Sequence, residues 1–188
     1  TRSGLAFLKI ILNLTHRVSV RDGLSYNLIK SFTRRKLVKG FDTAVLLGSW
    51  GRYFKCSSKN NVSNGSIRNI GLSITPVFYN SFLNAKKDEI LAEVIAKDIN
   101  EILSNIKNIN LHFVAFNTHP KVGDLKIIRK VMSMIDTNHL GRIRLIANTG
   151  TISNFLSKFL NLDAMICCKY HSIILSYLFE KPMIVIGY

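Results

Sequence analysis

Leu162–Tyr188, LDAMICCKYHSIILSYLFEKPMIVIGY, decides the fold. Ala164 to Cys168 is a continuous apolar run and reads as a strand covered on both faces. Lys169, Tyr170 and His171 form a short polar switch, and Ser172 to Phe179 reads as an apolar helix. A Lys-Pro turn follows, then Met183 to Ile186 as a second buried strand. Strand, helix and strand in that order make a βαβ unit, with parallel strands and a right-handed crossover. Ligands in open α/β sheets bind outside the carboxyl ends of the strands. Lys169, Tyr170 and His171 lie at such an end and at a helix start, so chemistry is expected there first.

The chain has 188 residues, 47% of them hydrophobic, enough for one large domain or one and a half small ones. It starts on Thr1 and stops on a strand, which reads as a fragment of a longer protein. The net charge is +15, and residues 1–60 hold 12 basic and 2 acidic residues. Such a balance points to an anionic partner or, equally, to general lysine richness. No arginine-rich tail or RNA-binding aromatic signature supports nucleic acid. Three cysteines, with Cys167 and Cys168 adjacent in a strand, do not make a disulfide framework. The two should pack on opposite faces. No apolar run approaches the roughly 20 residues that span a bilayer.

Leu5 to Leu14 reads as a buried helix, Val18 to Val20 as a short strand, and Ser25 to Phe32 as a helix that Asp22 can cap. Leu37 to Leu47 carries a short β-like piece. Residues 56–69, rich in Asn and Ser, read as a linker. A regular alternation follows. Strands are expected over Ile70 to Thr75, Leu111 to Phe116 and Ile143 to Ala147. Helices are expected over Ala85 to Ile106, Asp124 to Ile135 and Ile152 to Leu160. With the closing βαβ unit this makes a doubly wound, Rossmann-like parallel sheet.

The loops after the strands should therefore meet along one edge. They carry Thr75-Pro76, Asn117-Thr118-His119, Asn148-Thr149-Gly150-Thr151 and Lys169-Tyr170-His171. Thr149, Gly150 and Thr151 before a helix can cradle an anion, or Thr151 can simply cap the helix. His171 can serve as base in its neutral form or as acid when a bound phosphate favours the imidazolium. It reads as well as a capping or packing histidine. His119 is the weaker candidate of the same kind, and His16, His112 and His139 read as structural or surface groups. There is no metal-ligand spacing, no dinucleotide or P-loop signature and no GxSxG elbow, so no metal or cofactor is expected.

Two stretches resemble the polysaccharide pyruvyl transferase family. VRDGLS (Val20 to Ser25) with FDTA (Phe41 to Ala44) is similar to the family's "vRD..S … D.a" segment. Asp163, then Lys169-Tyr170-His171-Ser172, then Pro182 and Tyr188 resemble its "D…R.HS … P…i.Y" ending. Ile70 to Ile74 is similar to its "iGiSl" strand, and Asp124 falls where the family often has Asp. Lys169 departs from the family's Arg, and Thr75 stands where an Arg often follows. The resemblance implies a GT-B-like pair of Rossmann-type domains. Residues 1–55 would end the first domain, 56–69 would link, and 70–188 would form the donor-binding second.

It also implies pyruvyl transfer from phosphoenolpyruvate to a sugar, as a ketal, in cell-surface polysaccharide biosynthesis. His171 would then be the catalytic acid–base group. Lys169, Tyr170, Ser172, Arg21, Thr149, Thr151 and His119 would bind substrate, with Asp22 orienting Arg21 or an Arg-Asp pair bracing a hinge. Asp42 and Asp163 are expected as structural caps. The acceptor would be a sugar or lipid-linked glycan, and the location cytoplasmic, extending to the membrane's inner face through peripheral association. A GT-B glycosyltransferase using a nucleotide sugar and an inactive glycan- or anion-binding relative are the competing readings.

Overall fold

The computed structural model describes residues 2–47, 68–76, 85–120 and 123–186. The chain divides into two compact units, Thr1–Leu46 and Leu47–Tyr188. Most of the expected 56–69 linker lies outside the described residues.

In the first unit, helix α1 (Arg2–Leu14) is followed by β1 (Val18–Val20), α2 (Gly23–Lys30) and β2 (Leu37–Lys39). The strands pair in parallel, so β1, α2 and β2 form a βαβ unit. Asp22 caps α2 as expected, accepting from the Ser25 amide at 2.7 Å and its hydroxyl at 2.8 Å. Those bonds, the amide's first, hold the Asp22 carboxyl below its ordinary range. Leu12, Val18 and Val20 make a small core with Leu8, Tyr26, Ile29 and Phe32 around it. Helix α1 is less buried than its composition suggests: Leu12 is covered, while Phe7 and Leu14 are mostly exposed. Its apolar residues occupy more of the circumference than one narrow two-stranded sheet can cover.

The second unit is built on five parallel strands in the order β5-β4-β3-β6-β7. They are β3 (Asn69–Ser73), β4 (Asn110–Ala115), β5 (Ile143–Ala147), β6 (Ala164–Cys167) and β7 (Met183–Val185). Four helices join them: α3 (Ala85–Asn105), α4 (Asp124–Met132), α5 (Ile152–Leu160) and α6 (Tyr170–Leu178). The sheet is doubly wound and Rossmann-like. One core lies under α3 and α4 and gathers Leu72, Phe113, Ile128 and Leu103. The other lies under α5 and α6 and gathers Val114, Phe159, Met165 and Leu175. Neighbours along a strand alternate between the cores, as the pleat requires. Cys167 belongs to the second core and Cys168 packs against the first. Burial, then the neighbouring Cys167, pushes the Cys168 thiol up, in keeping with a packing group.

Three local devices hold this unit in register. Gly71 sits in the middle of the central strand, where an added Cβ would lie 2.1 Å from Met165 Sδ and 2.7 Å from Leu162 Cδ1. The Asp163 carboxylate accepts from the amides of Arg68 and Asn69, tying the start of β6 to the start of β3. The buried His139 shares its Nδ1 with Arg142 and its Nε2 with the Ser104 hydroxyl. Arg142 in turn donates to the carbonyls of Leu103 and Ile106 at the end of α3. Because Arg142 donates, Nδ1 is the acceptor and the ring proton sits on Nε2.

Strand β7 was expected to be buried, yet Met183, Ile184 and Val185 are exposed. Among the described residues it is an edge strand, bonded to β6 alone. Helices α3 and α4 pack over a core drawn from β3, β4 and β5, and on that face Ile166 of β6 is only partly buried among the described residues. The apolar stripe of α3 is also wider than its contact with the sheet. Ala92, Ala96, Ile99 and Leu103 are buried, while Ile90, Val94 and Ile106 are about half exposed. A groove of about 610 Å³ lies between α3 and the sheet, lined by Ile70, Val94, Ile95, Ile166 and Ile186.

We expect Gly71→Ala to destabilise the second unit by about 1–3 kcal/mol, because the buried Met165 and Leu162 side chains would have to shift. Urea denaturation measures it, and an unchanged midpoint would show that the core yields. His112 gives a pH dependence. Burial first, and then the charge of Arg144, holds its imidazole below the ordinary value, against a smaller opposing pull from Asp163. The unfolded chain therefore binds more protons than the folded one just below about pH 6.5, and stability falls on acidification through that value. The melting temperature of His112→Gln should drop less between pH 7.5 and 5.5 (roughly the span of imidazole titration) than that of the unsubstituted protein. Equal drops would remove His112 as the cause.

Candidate active site

The chain leaving β3 turns toward β4, and the chain leaving β6 turns the other way, toward β7. The strand order reverses between β3 and β6, which opens a crevice beyond their carboxyl ends. The chain leaves β3, β4, β5 and β6 at this same edge, because every pairing in the sheet is parallel.

The loop after β4 is the most tightly built. Asp124 opens α4 and is 0% exposed. One carboxylate oxygen accepts from the amides of Phe116 at 3.0 Å and Asn117 at 2.9 Å. The Asp124 amide donates back to the Asn117 carbonyl at 2.7 Å. The Asn117 side chain accepts from the His119 amide, and Gly123 N–H donates to the His119 carbonyl. A Cβ on Gly123 would meet that carbonyl at 2.3 Å and the Asn117 carbonyl at 2.5 Å, so only glycine closes this loop. His119 itself lies exposed on the rim.

Lys169 precedes α6 in extended conformation, and its ammonium meets the other Asp124 oxygen at 2.6 Å. The lysine side chain is 20% exposed and the aspartate fully buried. Strand β3 lies between β4 and β6, so this ion pair crosses the carboxyl end of β3. Its span is two strand spacings, roughly 9–10 Å from β4 to β6. Sequence reading placed Asp124 by resemblance and Lys169 by its strand-end position, but not their meeting. The available signal was an Asp at a helix start on the same sheet edge as a Lys.

Ser172 is fully buried. Its hydroxyl accepts from the Lys169 amide at 3.3 Å and donates to the Lys169 carbonyl at 2.6 Å. A side chain at the third helical position thus reaches back to the residue before the helix, as in a capping box. Ser176 donates to the Ser172 carbonyl below it. Tyr170 and His171 stand on the exposed first turn of α6, with ring centroids 6.0 Å apart in an edge-to-face arrangement.

Thr149 and Thr151 are exposed after β5, Gly150 has φ +88°, and the Thr151 hydroxyl accepts from the Asn154 amide, capping α5. Ser73, at the end of β3, is buried with its hydroxyl unpartnered among the described residues. Arg21 belongs to the first unit. It pairs there with Asp42 at 3.1 Å, rather than with Asp22, which is engaged in capping. Asp42 also accepts from the Ala44 amide, and Asp163 bonds two amides, so both act as the caps expected of them.

A buried carboxylate thus holds a lysine across the carboxyl end of the central strand, where the strand order reverses. The chain matches the polysaccharide pyruvyl transferase family over residues 1–188, its whole length. It belongs to that family. No curated protein matches it. Membership makes it a transferase that acts on a polysaccharide or sugar acceptor. Among the described residues no three His, Cys, Asp or Glu side chains gather as a metal site, and no helix is long and apolar enough to cross a membrane.

Asp124→Ala strips the Lys169 ammonium and two amides of their acceptor. We expect a loss of about 3 kcal/mol in unfolding free energy, the scale for breaking a buried pair. A loss below about 1 kcal/mol, the level of an exposed pair, would show that water replaces the carboxylate at no cost.

Proposed function

We propose that the protein moves a pyruvyl group from phosphoenolpyruvate onto two hydroxyls of a sugar, forming a cyclic ketal and releasing phosphate. The observation that carries the reading is the junction of β6 and α6. It presents a fixed cation, a helix N-terminus and an exposed histidine within three consecutive residues, at the crevice where the sheet order reverses.

The chemistry asks for groups of these kinds. Phosphoenolpyruvate is an enol phosphate with a carboxylate, so it needs positive potential. Lys169 and the amino ends of α5 and α6 supply that potential. His171 in its protonated form gives a proton to the methylene carbon as one sugar hydroxyl adds to the neighbouring carbon. The resulting neutral imidazole then takes up the proton of that hydroxyl. The tetrahedral product expels phosphate, and the second hydroxyl closes the ketal, its proton leaving with the phosphate. One carbon–hydrogen and two carbon–oxygen bonds form, and the bond to the phosphate oxygen breaks. No redox change occurs and no cofactor enters.

Thr149, Thr151, His119 and Tyr170 ring the crevice as contacts for the donor or the sugar. Ser172 acts from beneath, by shaping the turn that presents Lys169. A cytoplasmic reaction on a lipid-linked glycan, with peripheral attachment to the membrane, goes with this reading, as does the GT-B-like plan.

Phosphate release from phosphoenolpyruvate in the presence of candidate glycans tests the proposal. His171→Ala should lower turnover by about 10²–10⁴-fold, the usual share of a general acid. Its melting temperature should stay put, since the ring is exposed. Tight binding of a nucleotide sugar by calorimetry, without any phosphate release, would sink pyruvyl transfer. A large fall in melting temperature would make His171 a structural residue.

A further inference from the structure

The scheme above leaves Asp124 without a part, although it is the one carboxylate buried at the crevice among the described residues. We propose that Asp124 is a positioning residue. It fixes the Lys169 ammonium over the carboxyl end of β3, so that the two N–H groups it does not take meet the anionic donor. The inference rests on the pyruvyl-transfer reading for the name of the donor, but the pairing stands on the geometry alone.

Three observations support it. A lysine beside an exposed helix start normally sends its head into water along a flexible stem. Here the stem is turned inward across β3, the side chain is only one-fifth exposed, and the head lies 2.6 Å from Asp124. Second, an ammonium has three donors and lacks the planar fork with which an arginine fixes its own direction. A lysine at this position depends on a partner to aim it, and one carboxylate oxygen occupies one donor. Third, the carboxylate is itself immobile, held by the amides of Phe116 and Asn117 at the end of β4.

The pair does not cancel as an anion site. Asp124 sits at the amino end of α4, and its second oxygen is spent on two backbone amides. The dipoles of α4 and α6 add positive potential to that of Lys169. The crevice keeps a positive field while the cation is held still.

The test is a double-substitution cycle on phosphate release, with Asp124→Asn, Lys169→Met and the two together. Asn keeps an oxygen for the two amides and loses the charge that aims the lysine. Asp124→Asn should raise KM for phosphoenolpyruvate by about tenfold and leave kcat within about threefold, since it removes binding common to ground and transition states. In the Lys169→Met background the same change should do nothing further to KM. An equal effect in both backgrounds would show that Asp124 acts without Lys169, and overturns the proposal.

A second measurement needs neither turnover nor an Asp124 variant that folds. The ε-ammonium of Lys169, assigned by its disappearance in Lys169→Met, should give a slowly exchanging proton–nitrogen signal in the unsubstituted protein. A signal that exchanges as fast as those of surface lysines overturns the pairing. If the unsubstituted protein releases no phosphate, the reaction named above fails. The pairing is then decided by that signal, present or absent.

Discussion

The ion pair between Lys169 and Asp124 is the contact on which the crevice depends. It joins the end of β4 to the end of β6 across the strand between them. A carboxylate with no exposure is costly unless every lone pair is met. Here two amides, the amino end of α4 and an ammonium meet it. The loop that supplies the amides closes only because residue 123 is glycine. The lysine is delivered by a turn that Ser172 ties from below. A local sequence in each of two loops thus produces one long-range bond, and that bond puts a cation where the sheet order reverses.

The division of labour between the sheet and its edge follows from this. The body of the sheet is apolar on both faces, with Phe113, Ile128, Phe159 and Met165 almost wholly covered. Among the described residues the carboxylates that bond to it lie at its ends. At the amino end Asp163 ties β6 to β3 through backbone amides, and His112 is held away from its charged form. At the carboxyl end Asp124 does similar work with amides but also takes a lysine. The first end only braces strands. The second braces them and leaves a partly exposed ammonium next to an exposed histidine.

The alternation of strands and helices was legible from periodicity, because a strand buried on both faces and an amphipathic helix write different patterns. Strands β1 and β5 and helix α5 fall on the expected residues, and the others differ by a few positions at their ends, where capping and not hydrophobicity sets the limit. Burial was less legible. The exposure of β7 and of α1 depends on what lies beside them in space, which a local pattern does not encode. The strand-end positions of Lys169, His171, Thr149 and Thr151 could be read from order alone. The partner of Lys169 lies 45 residues upstream, and only the strand order β4-β3-β6 brings it within reach.

That same strand order explains how a lysine at this position can be aimed. An arginine brings its own directional fork and can hold an anion bidentately. A lysine brings charge alone, so the direction has to come from the fold. The fold supplies it through a carboxylate fixed one strand beyond the central one, at a distance the long stem can bridge. Lys169 therefore takes its direction from its contact with Asp124. The demand for precision falls on Asn117, His119, Gly123 and Asp124, whose hydrogen bonds to the backbone around them meet it.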